Sequence, residues 1–299
     1  MNSQEVQCGL CGANDATMVG AEVADAPGSQ VYRCGACGVV FLFPVMTPDE
    51  ERSFYELQFS AYMARRGQAG WQSPSDHFRV FQTEGERRTA LVRPWIRPND
   101  EVLEIGSSTG FFLDDLRHWV RSVNGVEPGL EQRTHANSIG IETVPTLDDL
   151  GGKRFDVILL YYVLEHLRNP VAYLSSLYDR LKPGGRLLIE VPNVDDALLS
   201  LYNIPAFAPF YWQRAHYFYY SHHTLRAVLA QANYDVSVFP VQRYDLSNHL
   251  VWMQTGKPGG AGRYREVFGP GLEAAYAERL CATWKCDTVF AVAVRGAEA

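Results

Sequence analysis

Two C-x-x-C pairs near the start constrain the fold of this chain more than any other sequence feature. Cys8 and Cys11 form the first pair, Cys34 and Cys37 form the second, and 22 residues separate them. A glycine follows each pair directly and permits the positive φ that such turns often need. Four thiolates suit tetrahedral Zn²⁺ with no open position, so the site would be structural. We therefore predict a zinc ribbon over residues 1–45, held together by its metal because it can bury little core.

The other two cysteines and the N-terminus bear on the redox compartment. Cys281 and Cys286 are five residues apart and do not share a helix face, so we expect packing thiols. The first residues show no basic stretch followed by an apolar one, so a signal peptide is not expected. Free thiols or metal ligands, rather than disulfides, fit such a chain. The predicted location is the cytoplasm.

The charge and hydropathy of the chain disfavour two classes of partner. Lys and Arg number 27 against 34 Asp and Glu, giving a formal net charge of -7. Four thiolates and one zinc ion would make it about -9. Such a surface repels a phosphate backbone, so nucleic acid is an unlikely partner. No apolar run approaches the roughly 20 residues of a membrane span, so we expect no membrane contact. Oligomeric state is left open.

Beyond residue 100, apolar strands alternate with helix-length segments, as in parallel α/β proteins. The strongest predicted strands are 101–105, 155–161 and 186–191. Two later apolar segments, 234–240 and 287–294, predict closing strands. The pattern therefore favours a doubly wound sheet.

Three segments give this sheet a specific resemblance. They are VLEIGSSTGFFL at 102–113, FDVI…VLEHL at 155–167 and LKPGGRLLIEVP at 181–192. In this order and at these spacings they resemble the motifs of class I S-adenosylmethionine (SAM)-dependent methyltransferases. The resemblance implies an α/β fold with a doubly wound seven-stranded sheet over residues 96–299, preceded by the zinc ribbon. The common family form has glycine where this chain has Ser108.

The first of these segments predicts the cofactor site. Gly106 and Gly110 let the backbone approach a ligand at a helix N-terminus. Glu104 can face the ammonium of SAM, and Glu127 lies where an acidic side chain accepts ribose hydroxyls. A dinucleotide is the competing ligand, but it normally requires G-x-G-x-x-G, and this chain has G-x-x-x-G. With the adenine position that the resemblance implies, the predicted cofactor residues are Glu104, Gly106, Ser108, Gly110, Glu127, Asp148 and Tyr161.

The acceptor site is expected where the fourth strand of the family ends, because ligands bind at the carboxyl ends of parallel strands. Tyr162, Glu165 and His166 follow that strand. Ubiquinone-pathway O-methyltransferases have a similar Glu-His pair with a further acid that completes a metal site, but Tyr162 stands near that acid here. In sugar methyltransferases with an N-terminal zinc module, a His near this position is a candidate base. Alternatively, the pair only shapes the loop.

An aromatic segment after the fifth strand is a predicted substrate lid, at about residues 193–220. It is dense in Tyr, Trp and His, which suits a pocket for a polar ring-shaped substrate. His216 is the best candidate base within it. The alternative is hydrophobic packing of a long loop.

Residues 46–95 are a predicted helical cap or linker with a helix at 76–93. In related proteins such a segment covers the SAM pocket, and its aromatic residues here are Tyr55, Phe59, Tyr62 and Trp71. Its paired arginines are expected to be solvated, as charge pairs usually are: Arg65, Arg66, Arg87 and Arg88.

We therefore predict a SAM-dependent methyltransferase that acts on a small molecule, such as a sugar, a nucleotide-sugar or a secondary metabolite. Methylation would be at oxygen or carbon, with His166 or His216 as general base, Glu165 assisting and Tyr162 positioning the acceptor. One alternative is an RNA methyltransferase whose ribbon grips RNA, although Arg33 is the only basic residue in 1–45. The other is a non-catalytic SAM-fold scaffold.

Overall fold

The structure, a computed structural model, describes residues 5–58, 61–62 and 71–296. Phe59, Arg65 and Arg66, which the sequence singled out, lie outside the described residues. The strands are β1 Ala16–Gly20, β2 Gln30–Cys34, β3 Val40–Phe43, β4 Glu101–Ile105, β5 Ser122–Val126, β6 Thr143–Val144, β7 Phe155–Tyr161, β8 Leu181–Pro192, β9 Phe218–Tyr219, β10 Tyr234–Val241 and β11 Thr288–Arg295.

The described α-helices are α1 Pro48–Ser53, α2 Pro74–Val92, α3 Phe111–Leu116, α4 Leu130–Ser138, α5 Pro170–Arg180, α6 Ala197–Ser200, α7 Phe207–Tyr211, α8 His222–Gln231, α9 Leu246–Thr255 and α10 Arg265–Ala282. A capping box at Thr47 begins α1, and the Ser73 side chain caps α2. Within the described part of the chain, no helix is long and apolar enough to cross a membrane.

The main sheet has seven strands in the order β10-β11-β8-β7-β4-β5-β6. All its pairs are parallel except those of β11, which runs antiparallel to both β8 and β10. This confirms the doubly wound seven-stranded methyltransferase sheet and its antiparallel closing strand. The carboxyl ends of β4, β5 and β7 meet at one edge, where the predicted site residues follow.

Alternation along β7 shows how both faces of the sheet are covered. Ile158 and Leu160 pack with the cluster that includes α5 and α8, whereas Val157 and Leu159 pack with residues of α2 and α3. All four side chains are fully buried. A parallel strand buried on both faces must be apolar at successive positions, which is why β7 lacks an exposed polar face.

The N-terminal module is joined to the main domain by backbone pairing rather than by a linker alone. Strands β1, β2 and β3 form an antiparallel meander, and β9 from the 193–220 segment pairs with β3 as a fourth strand. A further bridge joins Ala24 to Gln213. The ribbon and the predicted lid therefore share one sheet.

Candidate functional site

The turn between β4 and α3 is a loop of left-handed residues. Gly106, Ser108 and Gly110 have φ of 71°, 49° and 81°. A Cβ at Gly106 would lie 2.7 Å from Cγ2 of Val163, so only glycine fits this approach. Ser108 adopts the same left-handed region with a side chain, at a steric cost that glycine avoids. The loop brings backbone close to the segment after β7.

Glu104 lies directly before this loop and is only 1% exposed. Its Oε1 lies 3.6 Å from Nη1 of Arg88, while its Oε2 has no hydrogen-bond partner among the described residues. Burial raises the pKa of Glu104 to about 8, and the nearby Arg88 guanidinium opposes that shift. A buried carboxylate with an unpartnered oxygen fits a ligand ammonium.

Glu127 follows β5 and is fixed by the same loop. Its Oε2 accepts the N–H of Ser108 at 2.8 Å, and its Oε1 accepts the N–H of Gly129 at 2.7 Å. Burial raises the pKa of this carboxyl, and the two backbone donors oppose the shift. Two backbone contacts orient the carboxylate, whose remaining lone pairs can accept ribose hydroxyls.

The remaining two predicted cofactor residues have different surroundings. The Asp148 side chain is 99% exposed and lies 3.8 Å from Arg180. Tyr161 is buried, and the Arg88 guanidinium lies 4.7 Å from its ring centroid. Roles for Asp148 and Tyr161 in cofactor binding stay predictions.

Arg87 and Arg88 are not solvated, so that expectation was wrong. Arg88 is 8% exposed and bonds Glu84, the residue one helical turn earlier. Arg87 bonds Glu84 at 2.7 Å and the fully buried Glu190 at 2.8 Å. The i,i+3 and i,i+4 spacing to Glu84 was the available signal. The buried acids of β4 and β8 draw these arginines against the sheet.

The Tyr162 side chain lies in the same polar network as Glu190 and is partly buried. Its φ is 57°, and its backbone N–H donates to the carbonyl of Glu190 at 2.9 Å. The hydroxyl accepts from Arg243 and lies 3.3 Å from Oε1 of Glu190. The proposed positioning of an acceptor by Tyr162 stays a prediction.

The structure brings Glu165, His166 and His216 together. One potential ligand atom from each side chain lies within 4.8 Å of the others. The rings of His166 and His216 are perpendicular, with centroids 4.7 Å apart. The sequence offered the first two and the third as separate candidates, 50 residues apart, and only the path of the 193–220 segment joins them.

Burial shifts the pKa values of two members of this cluster, Glu165 and His166. Burial raises the pKa of Glu165 to about 8 and lowers that of His166 to about 4. Nδ1 of His166 lies 2.8 Å from the carbonyl oxygen of Ala215, which can only accept, so this nitrogen carries the proton. Nε2 then keeps its lone pair, and the neutral imidazole is a weak base by itself.

A short backbone ladder ties the cluster to the ribbon. The N–H of Tyr217 donates to the carbonyl of Glu165 at 2.8 Å. The N–H of Leu42, in β3, donates to the carbonyl of Tyr217 at 3.0 Å. Tyr217 therefore links strand β3 of the ribbon, through backbone hydrogen bonds, to the loop that carries Glu165.

Most aromatic side chains of the 193–220 segment fill the interior. Trp212, Tyr219 and Tyr220 are 3%, 1% and 0% exposed. A Cβ at Gly20 of the ribbon would lie 2.6 Å from Nε1 of Trp212, so this indole packs directly on β1. The alternative interpretation, packing of a long loop, accounts for these three residues.

The four N-terminal cysteines converge as the spacing predicted. Sγ of Cys8 lies 3.8 Å from that of Cys37, and Sγ of Cys11 lies 3.5 Å from that of Cys34. Thiolates bound to zinc at 2.3 Å in a tetrahedron are about 3.8 Å apart. The glycines that follow the pairs have φ of 75°. The donor set and its spacing fit zinc.

The methyltransferase-domain family matches residues 72–237 of the chain. A curated relative, the tRNA U34 carboxymethyltransferase of Idiomarina loihiensis, is 32% identical over 108 residues, which cover 30% of this chain and 32% of the relative. The chain thus spans about a third of the length of such curated relatives.

Two solved structures show the same fold. A chain from the complex between the Haloferax volcanii Trm112 methyltransferase activator and a methyltransferase has TM-score 0.53 and 17% identity, covering 81% of this chain and 97% of that one. Magnesium protoporphyrin IX methyltransferase from Synechocystis, solved with bound SAH, has TM-score 0.52 and 14% identity, covering 82% and 98%. At these identities the likeness concerns the fold alone.

Proposed function

The chain belongs to the methyltransferase-domain family, and from this premise we propose that it transfers the methyl group of SAM to a small-molecule acceptor at oxygen or carbon. The observation that carries the proposal is the position of the Glu165, His166 and His216 cluster. Glu165 and His166 follow β7 closely, just after Val163, whose side chain lies beside the loop glycine Gly106, and His216 joins them from the 193–220 segment. Groups able to accept a proton thus lie beside the loop proposed to hold the methyl donor.

The cofactor side supports SAM as the donor. Glu104 would face the ligand ammonium, Glu127 would accept from the ribose hydroxyls, and the left-handed loop at Gly106 would let the ligand approach the backbone closely. When bound, SAM supplies an electrophilic methyl group on a sulfonium, which becomes a neutral thioether after transfer. Oε2 of Glu104, which has no hydrogen-bond partner among the described residues, supports this fit.

On the acceptor side, the chain must orient the nucleophile and remove its proton. Transfer would form the acceptor–methyl bond and break the carbon–sulfur bond, whose electrons would stay on the sulfur of the donor. The acceptor proton passes to the cluster, with His166 or His216 as the receiving base and Glu165 assisting. Tyr162 would position the acceptor from the neighbouring network.

A second candidate function, methylation of RNA, comes from the curated relatives, whose names specify tRNA and so favour it over a small molecule. Two features of this chain weigh against it. The formal net charge is -7, and Arg33 is the only basic residue in the ribbon segment 1–45. The β3 edge that a ribbon could offer to RNA also pairs with β9.

For the N-terminal cysteines we propose one structural zinc ion. The four thiolates leave no open position, so the metal would hold the ribbon and do no chemistry. Reduced thiolates suit the cytoplasm, which we keep as the proposed compartment.

Labelled SAM distinguishes the candidates. The protein is incubated with SAM carrying a radioactive methyl group and either total RNA or a small-molecule extract from the source cells. We expect label in the small-molecule fraction and none in RNase-sensitive material. Label that RNase releases would instead show that the protein methylates RNA. A protein that binds no SAM by calorimetry would be a non-catalytic scaffold.

A further inference from the structure

The carboxyl group of Glu165 is a buried polar group whose two oxygens have no visible partner. The residue is 1% exposed, and neither Oε1 nor Oε2 has a hydrogen-bond partner within the described part of the chain. Leaving both oxygens of a buried carboxyl unsatisfied costs several hydrogen bonds, so native proteins seldom do it. A bound ligand that carries positive charge or hydrogen-bond donors would satisfy these two oxygens.

The two histidines beside Glu165 supply two further potential metal ligands. His166 is held by the Ala215 carbonyl through Nδ1, which orients the ring and leaves Nε2 as a donor of electrons. His216 is 7% exposed, and its ring stands perpendicular to that of His166. With Glu165, one potential ligand atom from each of the three side chains lies within 4.8 Å of the other two, so modest side-chain movements would let them share one ion.

We propose that Glu165, His166 and His216 bind one divalent transition-metal ion, separate from the ion of the cysteine site. Two imidazoles and a carboxylate suit Fe²⁺, Co²⁺, Ni²⁺ or Zn²⁺ better than Mg²⁺ and Ca²⁺, which prefer oxygen ligands. Three protein ligands on one side leave coordination positions open, unlike the closed set of four thiolates. The site is therefore built to receive a further ligand.

This inference deepens the proposed function and rests on it for the role of the ion. An acceptor hydroxyl that reaches the open positions would lose its proton more readily, because the ion stabilises the anion. With the ion bound, the histidines would act as its ligands in place of the direct proton transfer proposed above, and the acceptor proton would leave to solvent water.

Direct metal binding tests the site without any assay of methyl transfer. Zinc-loaded protein, with the cysteine site filled, is titrated with Co²⁺ by calorimetry and by visible spectroscopy. We expect one further equivalent, with d–d bands but no new thiolate charge-transfer bands. In His216→Ala and Glu165→Gln the affinity should fall at least about tenfold. His118→Ala, at an exposed histidine, is the matched control and should bind as the wild type does.

Absence of a second equivalent in wild-type protein overturns the inference, as does unchanged affinity in both cluster variants. Far-UV circular dichroism and SAM affinity check that each variant is folded; if one is not, the other decides together with the wild-type stoichiometry. Protein that binds Co²⁺ at this site yet methylates no acceptor would keep the metal site and remove the proposed function.

Discussion

The cofactor side and the acceptor side of this site are assembled in different ways. The cofactor residues Glu104 and Glu127 lie within residues 104–129, where the backbone N–H groups of Ser108 and Gly129 orient Glu127. The acceptor side joins three distant segments through Leu42, Glu165 and Tyr217. The SAM-binding side, which one continuous segment forms, can be shared by any enzyme that uses SAM. The acceptor side, which long-range pairing forms, can change without disturbing the SAM-binding residues. The two halves should therefore fail separately.

The largest separation is expected for His216→Ala. This change removes a member of the acceptor cluster and leaves the cofactor loop untouched. The kcat should fall by roughly 10²–10⁴-fold, the usual contribution of a proton-transfer group. The Kd for SAM, measured by calorimetry, should be unchanged. His118→Ala should match wild type in both, and a parallel loss of SAM affinity in His216→Ala would show that the halves are coupled.

The cysteine site extends the comparison to the ribbon. Cys34→Ser should abolish binding of about one zinc per chain, measured by elemental analysis. Because β3 holds Tyr217, and Tyr217 holds Glu165, kcat should fall by about 10², as for a displacement of about 1 Å. SAM affinity should persist. Cys281→Ser, outside the ribbon, should keep the zinc and the rate; full activity in metal-free protein would refute the coupling.

A change on the cofactor side should give the reverse pattern. Glu127→Ala removes a charged acceptor of ribose hydroxyls and the two backbone contacts that orient it. SAM affinity should fall at least about tenfold, since a hydrogen bond to a charged group contributes about 1.5–3 kcal/mol. At saturating SAM, kcat should stay within a few-fold of wild type. Unchanged affinity in calorimetry would mean that the ribose lies elsewhere.

The smallest effect, and the sharpest in sign, is expected for Glu104→Gln. Burial raises the pKa of Glu104 to about 8, above its value in the unfolded chain. The unfolded state therefore loses its proton first, and the ligand-free protein loses stability as pH rises from about 4 to about 8. The glutamine variant should escape this loss, so its free energy of unfolding relative to the wild type should be higher at pH 8 than at pH 5, while SAM affinity falls about fivefold.

Denaturant unfolding of ligand-free protein at pH 5 and pH 8 measures the gain, and calorimetry measures the affinity. Glu86→Gln, at an exposed position of α2, should change neither quantity. Equal stability of Glu104→Gln and wild type at both pH values would contradict the buried-charge account.

The sequence could predict the cofactor side better than the acceptor side because the cofactor side depends on contacts between residues closer in sequence. The glycines at 106 and 110 and the acid Glu127 were predictable, because a strand, a tight turn and a helix constrain them locally. Burial of Arg88 was not, because it depends on Glu104 across the helix–sheet interface. The meeting of His166 with His216 depends on where a 50-residue excursion returns, which no periodicity records.

The pairing of β3 with β9 also sets an order of events during synthesis. Strand β3 ends at Phe43 and β9 begins at Phe218, so 174 residues separate an edge from its partner. At roughly 5–20 residues per second, a ribosome needs about 10–35 s to add them. Throughout that interval the nascent chain displays β3 as an open apolar edge, the kind that invites pairing with other chains. Early metal capture and chaperone protection would therefore matter most before the second half of the protein has emerged.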